Sequence, residues 1–248
     1  MNTIYILWLR QLKRYLRSKS RILGSLGQPL LFLIAMGFGF GPVFERAGQG
    51  SYIQFLAPGI IAMSIIFTSI FNGIEIIWDR KFGFLKETLV APVPRTHIMI
   101  GRTLGGGTVG TIQGMIVLLL SIAIGFRPVS LPAIIPAILI MFVTALLFTA
   151  LGTAIASLLE DMQGFQLIMN FLVMPLFFLS GALFPLEGLP AALTVVARID
   201  PLSYGVDALR HLLLGASYLG LATDVVALTG ITALFIGIGS WLFSRIEI

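Results

Sequence analysis

The stretch that decides the fold is residues 131–159, LPAIIPAILIMFVTALLFTALGTAIASLL. It holds 29 residues without one charged side chain. As a helix rising 1.5 Å per residue it reaches about 43 Å, more than the hydrocarbon core of a bilayer. Its apolar residues run continuously and do not alternate with polar ones, which excludes a transmembrane β-strand. It reads as a membrane-spanning helix.

Working outward, five more stretches repeat the pattern: residues 22–44, 52–77, 103–126, 165–186 and 222–243. Each supplies about twenty residues of mostly apolar character, enough to cross once. The first follows about twenty residues of basic sequence and exceeds a secretory signal core, so it is expected to be retained. Composition agrees. Of 248 residues 57% are hydrophobic, with 27 glycines besides, and only 11% are charged. A soluble domain carries about 25% charge, and this chain lacks the polar surface to cover a core in water. Cysteine is absent, which excludes disulfides, thiolate metal sites and cysteine nucleophiles.

The 16 basic residues give the expected orientation. With six spans, twelve of them fall on the side of the termini: six before the first span, five between spans two and three, and Arg245. Arg46, Arg127, Arg198 and Arg210 fall on the other. The bias places both termini in the cytoplasm. The net charge of +5 is then an orientation signal beside anionic lipid, and no nucleic-acid partner is expected.

Three segments between the spans carry information. Residues 1–21 repeat Ile4, Leu7, Trp8, Leu12, Tyr15 and Leu16 at three- and four-residue spacing. This predicts an amphipathic helix in the membrane interface, with Trp8 and Tyr15 at headgroup depth and Arg14 and Arg17 on its basic side. Residues 79–102, DRKFGFLKETLVAPVPRTHIMIGR, are longer than a connection needs. Phe82, Phe84, Leu85, Thr88 and Leu89 suggest a short helix there, ended by Pro92 and Pro94 and offering a docking surface; its plain alternative is packing beneath its own bundle. Residues 187–221 are too apolar for a free loop, and two short helices, 192–198 and 203–214, are expected to re-enter the outer half of the bilayer. Asp200, Asp207 and Arg210 interrupt them too closely for two further spans.

Glu75, near the end of span two, is a possible functional charge, expected to pair with a basic residue of the following loop. Glu160 and Asp161 read as helix-cap residues in a short turn, and His97 and His211 lack companion metal ligands. The glycine run from Gly101 to Gly114 predicts close helix approach in span three. No GxxxxGK[ST], HExxH or GxSxG segment is present, so no chemistry is assigned to the chain itself.

Residues 87–102, ETLVAPVPRTHIMIGR, together with residues 177–190, FFLSGALFPLEGLP, and residues 198–210, RIDPLSYGVDALR, resemble the permeases of ABC-2 type transporters in this order and spacing. The resemblance covers essentially the whole chain. It implies an all-α integral membrane protein of six transmembrane helices, with an N-terminal amphipathic interfacial helix, a cytoplasmic coupling helix and an extracellular re-entrant helical hairpin. It also implies a homodimer of permeases working with two copies of a separate ABC ATP-binding subunit, which would bind the ATP and Mg; the permease binds no cofactor directly. Drug- and lipo-oligosaccharide-exporting branches share this length and layout. The scarcity of charge in the spans tilts the expected cargo toward a hydrophobic drug or lipid, with a polysaccharide or lipid-linked glycan as the alternative. An ion-coupled secondary transporter or channel is the reading from another class, but the spans show neither midplane carboxylates nor an inverted repeat.

Overall fold

The computed structural model describes residues 2–47, 50–90, 93–186, 188 and 190–244; the side chains of Asn2, Lys86, Leu89 and Ser244 lie outside the description. All elements among the described residues are α-helices. They are α1 (Asn2–Arg17), α2 (Lys19–Arg46), α3 (Tyr52–Phe71), α4 (Ile74–Lys81), α5 (Phe84–Val90), α6 (Arg95–Ile124), α7 (Ile134–Leu158), α8 (Met162–Leu179), α9 (Ala191–Ile199), α10 (Pro201–Leu214) and α11 (Leu221–Ser244).

Six helical stretches are long and apolar enough to cross a membrane: α2, α3 continued through α4, α6, α7, α8 and α11. The count agrees with the sequence, and the boundaries differ for physical reasons. Span five was read through residue 186, but the helix stops at Leu179, and Gly181 at φ +76° turns the chain into a conformation that glycine tolerates best. Span three was read from Thr103, yet α6 begins at Arg95, directly after Pro94. Its charged first turns extend beyond the apolar run, and periodicity alone stops at the apolar boundary. The short helix expected from Phe82 begins instead at Phe84, because Gly83 at φ +79° separates it from α4.

The centre of the molecule is α3, α6 and α7, with α10 and α11 packed against α7. α3 buries Leu56, Ile60, Ile61, Ile65, Ile66 and Ile70. α10 buries Leu202, Val206, Leu209 and Leu213 against the same bundle. Asp200 caps it by accepting from the Leu202 amide at 2.8 Å, and Gly215 ends it at φ +75°. Asp207 ties the α10–α11 turn down, accepting from Ser217 Oγ at 3.0 Å and Leu219 N at 2.7 Å. The two short helices expected at 192–198 and 203–214 are therefore present, as Ala191–Ile199 and Pro201–Leu214. α2 and α8, by contrast, also present many large apolar side chains outward, among them Leu31, Phe38, Leu167 and Phe171.

Candidate functional site

Polar side chains concentrate where α1, α4, α5 and α6 meet, at the end of the bundle that carries α5. α1 lies lengthwise on the first half of α6. Glycine makes that approach possible: a Cβ at Gly105 would stand 2.7 Å from the Cβ of Gln11, and one at Gly101 would stand 3.0 Å from the Cβ of Leu7. Trp8 Nε1 donates to Thr108 Oγ1 at 2.9 Å, and the Tyr15 hydroxyl donates to Gln113 Oε1 at 2.7 Å. Burial pushes the Tyr15 phenol above its ordinary value, which keeps the proton it donates. Thus Trp8 and Tyr15, read from sequence as headgroup residues, have their polar atoms bound to α6.

On the neighbouring side α1 faces α4 through charge. Arg10 and Arg14 are four residues apart on α1, as are Glu75 and Asp79 on α4. Arg10 Nη2 donates to Asp79 Oδ1 at 2.7 Å, and Arg14 Nη1 stands 3.6 Å from Glu75 Oε2. The equal spacing lets two antiparallel helices match both rungs at once. Arg102 of α6, 3% exposed, donates from Nη2 to Asp79 Oδ2, and Arg21, in the first turn of α2, donates to Glu75 Oε1 at 3.3 Å. The partners of Glu75 are therefore Arg14 and Arg21, which precede span one or begin it, and not a residue of the following loop as expected. Sequence separation hides such a pair, because periodicity reports a residue's face but not the helix opposite.

The network extends into α5 and α7. The Arg10 guanidinium lies 4.0 Å from the centre of the Phe84 ring, a cation–π contact that joins α1 to α5. Arg80 donates to the Ser157 and Leu159 carbonyls at 3.4 and 3.2 Å, satisfying acceptors left open at the end of α7. Asp161 caps α8 by accepting from the Gly164 amide, and backbone donors hold its carboxyl below the ordinary value.

The five residues expected on the docking surface divide. Phe82 is 69% exposed and stacks on Trp78 at 5.4 Å, and Phe84 is partly exposed beneath Arg10. Thr88 donates to the Phe84 carbonyl at 2.9 Å, an internal bond of the helix. Leu85 is 1% exposed and faces the core, so it anchors α5 and offers nothing outward. The side chain of Leu89 lies outside the described residues. Arg17 is exposed and, with Lys13 and Lys19, lines a basic groove beside the α1–α2 elbow. Sequence reasoning missed Asp79 and used Arg10 and Arg102 only as orientation markers; the matched spacing of four was the available clue. No group of three metal-ligating side chains occurs among the described residues.

Comparison with known proteins places this geometry. The family model described as ABC-2 type transporter matches residues 2–214. Nodulation protein J of Rhizobium leguminosarum bv. trifolii is 29% identical over 90% of this chain and 83% of its own length. Nodulation protein J of Rhizobium meliloti (strain 1021) is 30% identical over 84% of this chain and 79% of its own. Inner membrane transport permease YadH of Escherichia coli (strain K12) is 28% identical over 88% of this chain and 85% of its own. The matched region includes α1, the charge network, α5 and the α9–α10 pair. The chain belongs to the ABC-2 type transporter family, as a non-catalytic transmembrane transport subunit that associates with an ABC ATP-binding partner.

Proposed function

We propose that this permease exports a lipid-linked or oligosaccharide-type molecule, as a homodimer with two ATP-binding subunits. Two of the relatives above are named for nodulation and one for transport in general; none of these three is named for drug resistance. The resemblance fits drug- and lipo-oligosaccharide-exporting branches alike, so the choice between them rests on the relatives. Export of a glycan-bearing lipid accordingly takes precedence over the drug reading favoured by composition.

The observation that carries the mechanism is the clip between α5 and the spans. Phe82 and Phe84 offer aromatic surface at the tip, and Arg10 binds Phe84 on one side and Asp79 on the other. Asp79 in turn holds Arg102 on α6. In this reading α5 is the coupling helix, seated on the ATPase, and α1 is the interfacial helix that carries its movement to α2 and α6. ATP binding draws the two ATPases together, and the displaced α5 shifts the spans from a cargo-accepting to a cargo-releasing arrangement; hydrolysis resets the pair. The Lys and Arg distribution supports placing α5 in the cytoplasm and the α9–α10 hairpin outside.

Replacing Phe82 and Phe84 together by aspartate tests the assignment. Cargo-stimulated ATPase activity of the co-expressed complex is expected to vanish, while insertion and the amount of permease stay at parent level. Leu85 is left intact because its loss would disturb the core. Full stimulation in the double variant would sink the docking role of α5.

A further inference from the structure

A cavity of about 320 Å³ lies between the elbow of α1 and α2 and the end of α3. Its size falls in the range of small-molecule sites. Its polar wall carries Arg21, Ser25 and Gln28 of α2 and Asn72 beyond α3, and its apolar wall includes Met63, Phe67 and Phe71. Arg21 and Gln28 are seven residues apart on one helix, so the slot extends about 10 Å along it.

Three observations mark it as built for a ligand. First, Asn72 Nδ2 is a buried donor without a hydrogen-bond partner among the described residues, a costly state in an apolar surrounding. Second, Gly24 lines the cavity at an open position, where a Cβ would meet nothing among the described residues within 4 Å, so a side chain can be added there without a clash. Third, the charge at the mouth does not cancel. Arg14 and Arg21 both face the single carboxylate of Glu75, leaving one positive charge in excess beside the cavity.

We infer that this cavity binds the phosphate end of a single-tailed or double-tailed lipid, drawn from the leaflet that the α1–α2 elbow faces. The phosphate oxygens accept from Arg21 and from the Asn72 amide. The first methylenes of the chain lie against Phe67, Phe71 and Met63. A neutral glycoside would leave the surplus charge unanswered, and a free inorganic phosphate would leave the apolar wall bare. The inference deepens the lipid-linked reading of the cargo, and rests on it only for the source of the lipid: a resident phospholipid and the lipid end of the cargo present the same chemistry.

Native mass spectrometry of the full chain in mild detergent provides the test, with dioleoyl phosphatidic acid and dioleoyl phosphatidylcholine as probes. The parent is expected to retain one phosphatidic acid at about tenfold lower lipid concentration than phosphatidylcholine, the scale of a hydrogen-bonded charge pair. Gly24→Leu should fill the slot and abolish that retained lipid. Gly230→Leu, the same change at an open glycine on α11, should leave it untouched. Arg21→Gln should erase the preference between the two lipids, and Arg21→Lys should keep it. Retention in Gly24→Leu equal to the parent, or no preference in the parent, overturns the inference. Export of a lipid-linked glycan with the ATPase present then separates the sources: loss in Gly24→Leu identifies cargo, and normal export identifies a resident lipid. The binding arm needs no ATPase, so its failure is distinct from a failure of the exporter reading.

Discussion

Asp79 receives two guanidiniums in a setting where it is only 5% exposed. Arg102, buried still further, has no other carboxylate in contact among the described residues. Asp79→Asn therefore strands a cation that water cannot reach. Losing one member of a buried pair costs about 3–5 kcal/mol, and the apparent unfolding midpoint in detergent is expected to fall accordingly. Replacing Asp79 and Arg102 together by Asn and Met should recover most of the loss, because the one cation then left without Asp79 is Arg10, which is partly exposed and reaches solvent. A single Asp79→Asn variant as stable as the parent would mean that the pair carries no such weight. Glu75 differs: its partners Arg14 and Arg21 are well exposed, so solvent screens them and its neutralisation should matter less to stability.

At the scale of elements, the packing of α1 on α6 turns on two small residues. Gly105→Leu places a branched side chain where the stem of Gln11 already stands. Overpacking of this kind costs about 1–3 kcal/mol, and here it should also lift α1 away and break the Trp8–Thr108 bond. Differential scanning fluorimetry should show a lowered midpoint; an undisturbed one would mean that α1 does not depend on this contact. The helices themselves were largely legible. Each apolar run is about as long as a bilayer is thick, and proline and glycine mark the ends of α5, α8 and α10. The charge network was not legible, because its partners lie 54 or more residues apart except for Asp79 and Arg102. Apolar periodicity says that α1 has a buried face, and it is silent on whether lipid or α6 covers it. Leu85 shows the same gap: on a seven-residue helix, one residue of rotation decides between anchor and surface.

Taken whole, the molecule has a dense interior of α3, α6 and α7 and a sparsely covered exterior of α2 and α8. Six crossings put the beginning of α2 and the end of α11 at one end, beside the charge network. The surplus of Lys and Arg at that end is what supports the proposed cytoplasmic placement. Epitope tags at the two termini of the full chain should both be reached by antibody only after intact cells are permeabilised. Labelling of either tag in intact cells would reverse the assignment. Between α3 and α4 the helical run is interrupted at Asn72 and Gly73, where Gly73 sits directly against the backbone of Gly152 on α7. Asp79 lies six residues beyond Gly73, at the end of an arm about 9 Å long, so a tilt of about 10° moves the carboxylate's backbone by about 1.5 Å. On the proposed coupling role of α5, a push delivered there becomes a small rotation about the Gly73–Gly152 contact, and α7 bears the reaction force.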